Sequence, residues 1–258
     1  MPIIMQHFSS GGVDIAFIDE GGPDGTKGTM LLIHGFASNV AVNWVDPGWV
    51  RTLRRAGYRV VALDNRGHGQ SAKLYDEAAY GPRLMAEDAR ALLDHLGIQT
   101  AHVMGYSMGA RVTAFLALMH KERVRSAVFG GLGANMVRGL AGARPIANAL
   151  LAPSLDQVTN ATARTFRAFA EATQSDLKAL AACILSSREP FSAEMAGQIR
   201  LPVLVAVGDQ DVIGGSASDL AAMIPGAEAF VIEGRDHMKA VGDIRFKEAV
   251  VAFLAKHA

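Results

Sequence analysis

Residues Ala101-His102-Val103-Met104 run directly into Gly105-Tyr106-Ser107-Met108-Gly109, and an apolar pattern at helical spacing continues from Val112 to Met119. An apolar strand, an abrupt Gly-x-Ser-x-Gly turn and a helix in immediate succession leave few architectures open. Gly105 and Gly109 bracket the serine because the helix must start close against the strand, where a Cβ would crowd the backbone. Ser107 is thereby pushed outward above a helix N-terminus. Free N–H groups and the positive end of the helix dipole favour an oxygen gaining negative charge there.

The rest of the chain fits an alternation of strands and helices. Residues 3–8 and 13–19 read as two strands around Ser9-Ser10-Gly11-Gly12, an antiparallel edge hairpin, followed by a loop at Gly21–Gly25. Thr29–Ile33 is continuously apolar, as a strand buried on both faces should be, and ends in His34-Gly35-Phe36. A polar, Asn-containing loop then leads to a helix carrying Trp49, Val50, Leu53 and Arg54 that stops at Gly57. Tyr58–Asp64 is the next strand and opens into Asn65-Arg66-Gly67-His68-Gly69-Gln70-Ser71; residues 84–96 are helical and stop at Gly97. Strands are expected at 126–131, 202–208 and 227–232, with helices at 215–224 and 244–257. Such an alternation implies a mostly parallel sheet covered on both sides.

One block departs from it. From Asn135 to Leu201 the pattern is helical throughout, broken at Pro145, Pro153 and Pro190. The expected organisation is a core of residues 1–134 and 202–258 with a small helical lid at 135–201. Ligands bind above the carboxyl ends of strands in such sheets, and a lid belongs there.

Composition narrows the class of partner. Half of the 258 residues are hydrophobic, 19% are charged, and 25 basic residues balance 25 acidic ones. With no block of like charge, neither nucleic acid nor an anionic membrane surface is expected as a partner. The single cysteine, Cys183, excludes an internal disulfide and sits in a helical apolar run, where it reads as a small buried hydrophobe. The N-terminus lacks the basic start and apolar core of a signal peptide, and no stretch is long and apolar enough to span a bilayer. A cytoplasmic location is expected.

A serine hydroxyl needs a base to accept its proton, and the base needs a group to hold it. Of the eight histidines, His237 follows the last strand and precedes the final helix, at the functional edge of the sheet. His34 is its main rival and reads as holding its own loop. The orienting carboxylate should lie at another strand end between serine and histidine. Gly130 to Gly139 contains no acid, whereas Gly208-Asp209-Gln210-Asp211 offers two. Asp211, further round the turn, has the reach to meet His237; Asp209 is better placed to cap the turn. An oxyanion needs two fixed donors. The N–H of Met108, next after the serine, is one candidate, and the N–H of Phe36, in the loop after Thr29–Ile33, is the other.

The ordered set His34-Gly35-Phe36, Asp64 to Ser71, Gly105 to Gly109, Gly208 to Asp211 and Asp236-His237 resembles the α/β-hydrolase superfamily, in particular its serine esterases and lactonases. The resemblance covers nearly the whole chain, the lid least. It implies an α/β-hydrolase fold with a mostly parallel eight-stranded sheet, helices on both faces and a helical lid. It also implies Ser107 as nucleophile, Asp211 as acid, His237 as base and Phe36 and Met108 as oxyanion donors, with no cofactor and no metal. Asp236 departs from the pattern, since relatives often carry glycine before the histidine. Haloalkane dehalogenases and epoxide hydrolases of this superfamily carry aspartate where Ser107 stands, which disfavours their chemistry here.

Other motifs do not compete. Gly130-Gly131-Leu132-Gly133 lacks the third glycine of a dinucleotide loop, no phosphate-binding loop is present, and no His/Asp cluster has metal-ligand spacing. Arg138, Arg144, Arg164 and Arg167 of the lid read as a solvated face, with recognition of an anionic substrate as the alternative. Phe36, Met108 and the Ala/Leu/Phe-rich lid point to an apolar substrate pocket. The expected activity is hydrolysis of carboxylic esters with small to medium, mainly apolar acyl groups through an acyl-enzyme, with a small molecule as the partner. Lactones, thioesters, carbon–carbon bonds flanked by a carbonyl, perhydrolysis and acyl transfer suit the same machinery. A slow-turnover ligand sensor on this scaffold is the reading from a different class.

Overall fold

A computed structural model of the chain describes residues 4–21, 27–139, 142–186 and 189–257. Beyond Gly21, the loop expected at 21–25 lies outside these residues.

Among the described residues, eight strands form one sheet: β1 (Gln6–Ser10), β2 (Val13–Glu20), β3 (Thr29–Ile33), β4 (Arg59–Leu63), β5 (Ala101–Tyr106), β6 (Val124–Gly130), β7 (Val203–Gly208) and β8 (Glu228–Ile232). Their spatial order is β1-β2-β4-β3-β5-β6-β7-β8. β1 pairs antiparallel with β2 and β2 with β4, while every other pairing is parallel. The first hairpin turns on Gly11 and Gly12, both at positive φ (56° and 87°), so Ser9 and Ser10 belong to the strand rather than to the turn expected there. A two-residue turn with both φ positive matches the twist of the flanking strands.

Side chains alternate across each strand and so feed two separate cores. Leu31 and Ile33 point to one face, under helices α2 (Pro82–His95) and α3 (Met108–Met119). Met30 and Leu32 point to the other, where Trp44, Trp49, Phe246 and Phe253 close the layer. Trp49 lies in helix α1 (Trp49–Arg55), and Phe246 and Phe253 lie in the final helix (Ile244–Lys256). β8 is an edge strand with alternate residues open to solvent, unlike the fully buried β3, β5 and β7.

The order β4-β3-β5 places a topological switch point between β3 and β5, because the chain leaves β3 to one side and returns on the other. Ligand crevices open at that point in parallel sheets. Ile33 and Gly105 are in register there, so the loop after β3 and the turn after β5 emerge side by side.

Between β6 and β7 run helices α4 (Asn135–Arg138), α5 (Ala143–Leu151), α6 (Ala161–Ala172), α7 (Leu177–Ser186) and α8 (Ala193–Gln198). The apolar faces of α5, α6 and α7 gather around Phe36, Ala37 and Tyr80 of the core loops, with Cys183 buried among them, while Met136 of α4 and Ala196 of α8 pack into the main core on the α3 face of the sheet. Arg167 is not part of a solvated face as expected. It is buried, donates to the carbonyls of Ala149, Leu150 and Ala152, and so satisfies the open C-terminal end of α5. Helices α9 (Ala217–Ala221), α10 (His237–Ala240) and α11 (Ile244–Lys256) complete the chain, α9 being shorter than the helix expected at 215–224.

Candidate active site

Ser107 sits between β5 and α3 with φ 55° and ψ −114°, a conformation that costs a non-glycine residue roughly 1–3 kcal/mol. The surroundings enforce it. Its N–H donates to the Gly130 carbonyl at 2.8 Å, locking the turn to β6. A Cβ on Gly105 would collide with the Gly109 carbonyl, and one on Gly109 with the Ile33 carbonyl, so both flanking glycines are required by close backbone approach.

Three side chains from three strand ends meet at this turn. Ser107 Oγ lies 3.0 Å from His237 Nε2, and His237 Nδ1 lies 2.8 Å from Asp211 Oδ2. A carboxylate only accepts, so Nδ1 carries the proton and Nε2 is free to accept from the serine hydroxyl. Asp211 Oδ1 in turn accepts from the N–H groups of Ile213 and Gly214, at 2.9 and 2.7 Å. The Asp211 side chain is fully buried and that of His237 is 9% exposed.

The other aspartate of the same turn does something different. Asp209 Oδ1 accepts from the Gly234 N–H at 2.8 Å and ties the loop after β7 to the loop after β8. Gly208 lets these loops touch, since a Cβ there would strike the Arg235 carbonyl. His237 is held from both sides. Tyr106 Oη donates to its carbonyl oxygen at 2.5 Å. Asp236 caps α10 by accepting from the N–H groups of Met238 and Lys239, at 3.1 and 2.9 Å. The bond from the Lys239 backbone leads the effects holding the Asp236 carboxyl below its usual range. The capping role is the physical account of an acid at the position where glycine is common. Burial, with the Asp211 and Asp236 charges nearby, holds the Tyr106 phenol well above its usual pKa, so it remains a donor.

His34 has no part in this relay. Its Nδ1–H donates to the Gly35 carbonyl at 2.8 Å, and its Nε2 accepts from the Asn65 N–H at 2.9 Å, joining the loops after β3 and β4. Burial lowers its pKa to about 4, so the ring is neutral. Asp64 reinforces the junction by accepting from Val40 N–H and Gln70 N–H, both at 2.7 Å.

The candidate oxyanion donors flank Ser107. Met108 is the first residue of α3, so its N–H lacks an intrahelical acceptor. Among the described residues, the Phe36 N–H has no acceptor in the protein. The loop carrying Phe36 is fixed by Asn43 Oδ1, which accepts from the Gly35 N–H at 3.0 Å. A Cβ built on Gly35 would lie 3.4 Å from Ser107 Cβ, which shows how closely the two loops approach.

A cavity of about 330 Å³ adjoins Ser107 and His237. Phe36, Tyr106, Phe166, Phe169 and Val241 give it apolar walls. The side chain of Met108 lies elsewhere, against Cys183 at 4.0 Å between the sulfurs. Phe36 therefore stands on the cavity wall, while Met108 packs its side chain against the helical insertion. Sequence reasoning missed Tyr106 and Asn43. Tyr106 acts across 131 residues, which no local pattern reveals. Asn43 carried a weak signal, a lone amide inside Ala41-Val42-Asn43-Trp44-Val45. Among the described residues, no group of three or more His, Cys, Asp or Glu side chains is arranged to hold a metal, and no helix is long and apolar enough to cross a membrane.

Comparison with known proteins agrees with the fold. A family described as alpha/beta hydrolase fold matches residues 28–137, the stretch from β3 through the serine turn to α4. Epoxide hydrolase B of Mycobacterium tuberculosis is 34% identical over 120 residues, 45% of this chain and 32% of that protein. The chain thus spans about a third of the length of such curated relatives. A hydrolase of Pseudomonas aeruginosa of known structure superposes with a TM-score of 0.74 at 25% identity, over 97% of this chain and 98% of that one. The enol-lactonase of Burkholderia xenovorans gives 0.78 at 20% identity, over 97% and 100%, a likeness of fold. Strand order, the strained serine turn at the switch point and these matches converge on one architecture: the chain has the α/β-hydrolase fold, and its residues 28–137 match the family of that description.

Proposed function

We propose that the protein is a serine hydrolase that cleaves carboxylic esters of small to medium, mainly apolar acyl groups through an acyl-enzyme. The observation that carries this reading is the continuous relay from Asp211 through His237 to Ser107, with contacts of 2.8 and 3.0 Å. Ser107 attacks the ester carbonyl while His237 Nε2 takes its proton. Buried Asp211 holds the imidazole in the required tautomer and stabilises the cation that forms. The carbonyl oxygen becomes an oxyanion between the Phe36 and Met108 N–H groups, donors fixed before the reaction begins. His237 then protonates the leaving alcohol, and water repeats the steps to release the acid.

Helices α4 to α8 act as a lid in this reading. Phe166 and Phe169 of α6 line the cavity, and Phe166 meets Phe36 edge-on at 5.9 Å between ring centres. Such walls favour apolar substrate groups. The named relative is an epoxide hydrolase, but serine rather than aspartate stands at the turn here, and the acyl-enzyme route follows from that side chain. A panel of p-nitrophenyl esters of increasing chain length with added lactones, together with labelling by a fluorophosphonate, tests the proposal. Turnover with Ser107 labelled is the expected result. An unlabelled protein inert on the whole panel would refute it.

A further inference from the structure

The cavity beside Ser107 is apolar over most of its wall, yet two polar side chains in that wall each present an atom with no acceptor or donor in the described protein. The backbone widens at Ala41–Val45, where the Asp46 N–H bonds to the Ala41 carbonyl at 2.9 Å, five residues back. Wide turns of this kind recur at functional sites. This one buries both Asn43 and Trp44, although Asn43 is polar. Asn43 is 5% exposed and lines the cavity.

Its orientation follows from its one side-chain bond. Oδ1 accepts from the Gly35 N–H at 3.0 Å, so Nδ2 is the opposite end of the amide. Among the described residues, Nδ2 donates to no protein acceptor. Ser38, 3% exposed, lines the same cavity, and its Oγ has no partner among the described residues. Asn43 stands close to the proposed nucleophile. A methyl group built on Gly35 would touch Ser107 Cβ at 3.4 Å and Asn43 Oδ1 at 3.7 Å.

A buried hydroxyl without a partner, as at Ser38, is costly, and an apolar side chain in place of Asn43 would serve better if the substrate were purely apolar. We infer that Asn43 and Ser38 form a subsite for an uncharged oxygen acceptor on the substrate, a carbonyl or ether oxygen a few bonds from the scissile carbonyl. The inference rests on the hydrolase reading above and narrows its substrate class. Both side chains are neutral. The lysine on the cavity wall, Lys239, is exposed and paired with Asp236 at 3.3 Å, so the subsite suits a neutral oxygen rather than a carboxylate.

The test compares kcat/KM for esters matched in length, one member of each pair having a methylene replaced by an ether oxygen or a carbonyl. One series carries the change in the acyl chain, the other in the alcohol. The wild-type protein should prefer the oxygen-bearing member about tenfold or more in at least one series. Asn43→Asp keeps an acceptor for the Gly35 N–H but removes the donor, and Ser38→Ala removes the hydroxyl. In Asn43→Asp the preference should fall to one or below, and in Ser38→Ala it should shrink, whatever happens to the absolute rates. A role confined to holding the loop would slow both members of each pair equally and leave the ratio intact. Wild-type protein without a preference in either series, or variants that retain the ratio, would overturn the subsite while plain esters still turn over. Failure to hydrolyse any ester would overturn the hydrolase reading and the subsite with it.

Discussion

Tyr106, the residue before the strained serine, donates a 2.5 Å hydrogen bond to the carbonyl oxygen of His237. The bond joins the serine turn to the histidine loop through a route separate from the side-chain relay. Tyr106→Phe should therefore lower kcat several-fold with little change in KM, since ring packing survives and only the anchor is lost. Steady-state kinetics on one ester, with a thermal melt to register a stability loss of about 1 kcal/mol, checks this.

Ser107→Ala and His237→Ala should each reduce turnover by about four to six orders of magnitude, and the double variant little further, because the groups act as a unit. Asp211→Asn should cost about 10⁴-fold by imposing the wrong imidazole tautomer. Rates for the singles and the double variant, with circular dichroism to confirm folding, decide it. Near wild-type rates in Ser107→Ala would remove the proposed nucleophile.

Acid should destabilise the fold well before its carboxylates titrate. Burial lowers His34 to about 4, His68 to about 3 and His102 to about 4, and all three are fully buried. The proximity of His34 lowers His68 further. Unfolded, each ring takes up a proton near pH 6.5. The unfolded chain therefore binds more protons than the native one between pH 6.5 and about 4, and stability falls as pH drops through that window. At pH 5 up to about three protons should be taken up on unfolding, a slope of about 4 kcal/mol per pH unit at most. Calorimetry in buffers of differing ionisation enthalpy reads the proton count. A melting temperature flat from pH 7 to 5 would contradict it.

Asp236→Ala should cost about 1 kcal/mol of stability by uncapping α10, and Asp236→Asn much less, since asparagine caps equally well. Because α10 begins with His237, turnover should fall further in the alanine variant than in the asparagine one. Paired melts and rates separate capping from charge: equal losses in both variants would point to the charge instead.

Arg66 and Asp88 form a buried two-armed ion pair, at 2.7 Å on each arm, to which Ser10 adds a bond of 2.6 Å. Asp88→Ala leaves the guanidinium buried and uncompensated, and should cost about 3–5 kcal/mol. Urea unfolding measures it. A loss below 1 kcal/mol would mean that Arg66 finds water or another acceptor.

The element order was legible because each signal is local. Continuous apolar runs mark β3, β4, β5 and β7 as strands buried on both faces, and the glycines around Ser107 mark a turn with no room for a Cβ. Ser107, Asp211 and His237 could be named because residues of the required chemistry follow strands in the required order. Tertiary structure alone decided what lies across the sheet from what. Tyr106 reaches a backbone atom 131 residues away, Arg167 turns inward to three open carbonyls, and Asn43 swings under Gly35 on a turn one residue too wide for an α-helix. Periodicity reports which face of an element is apolar. Which polar groups meet once those faces are buried depends on contacts between segments far apart in the chain, and no local spacing encodes that.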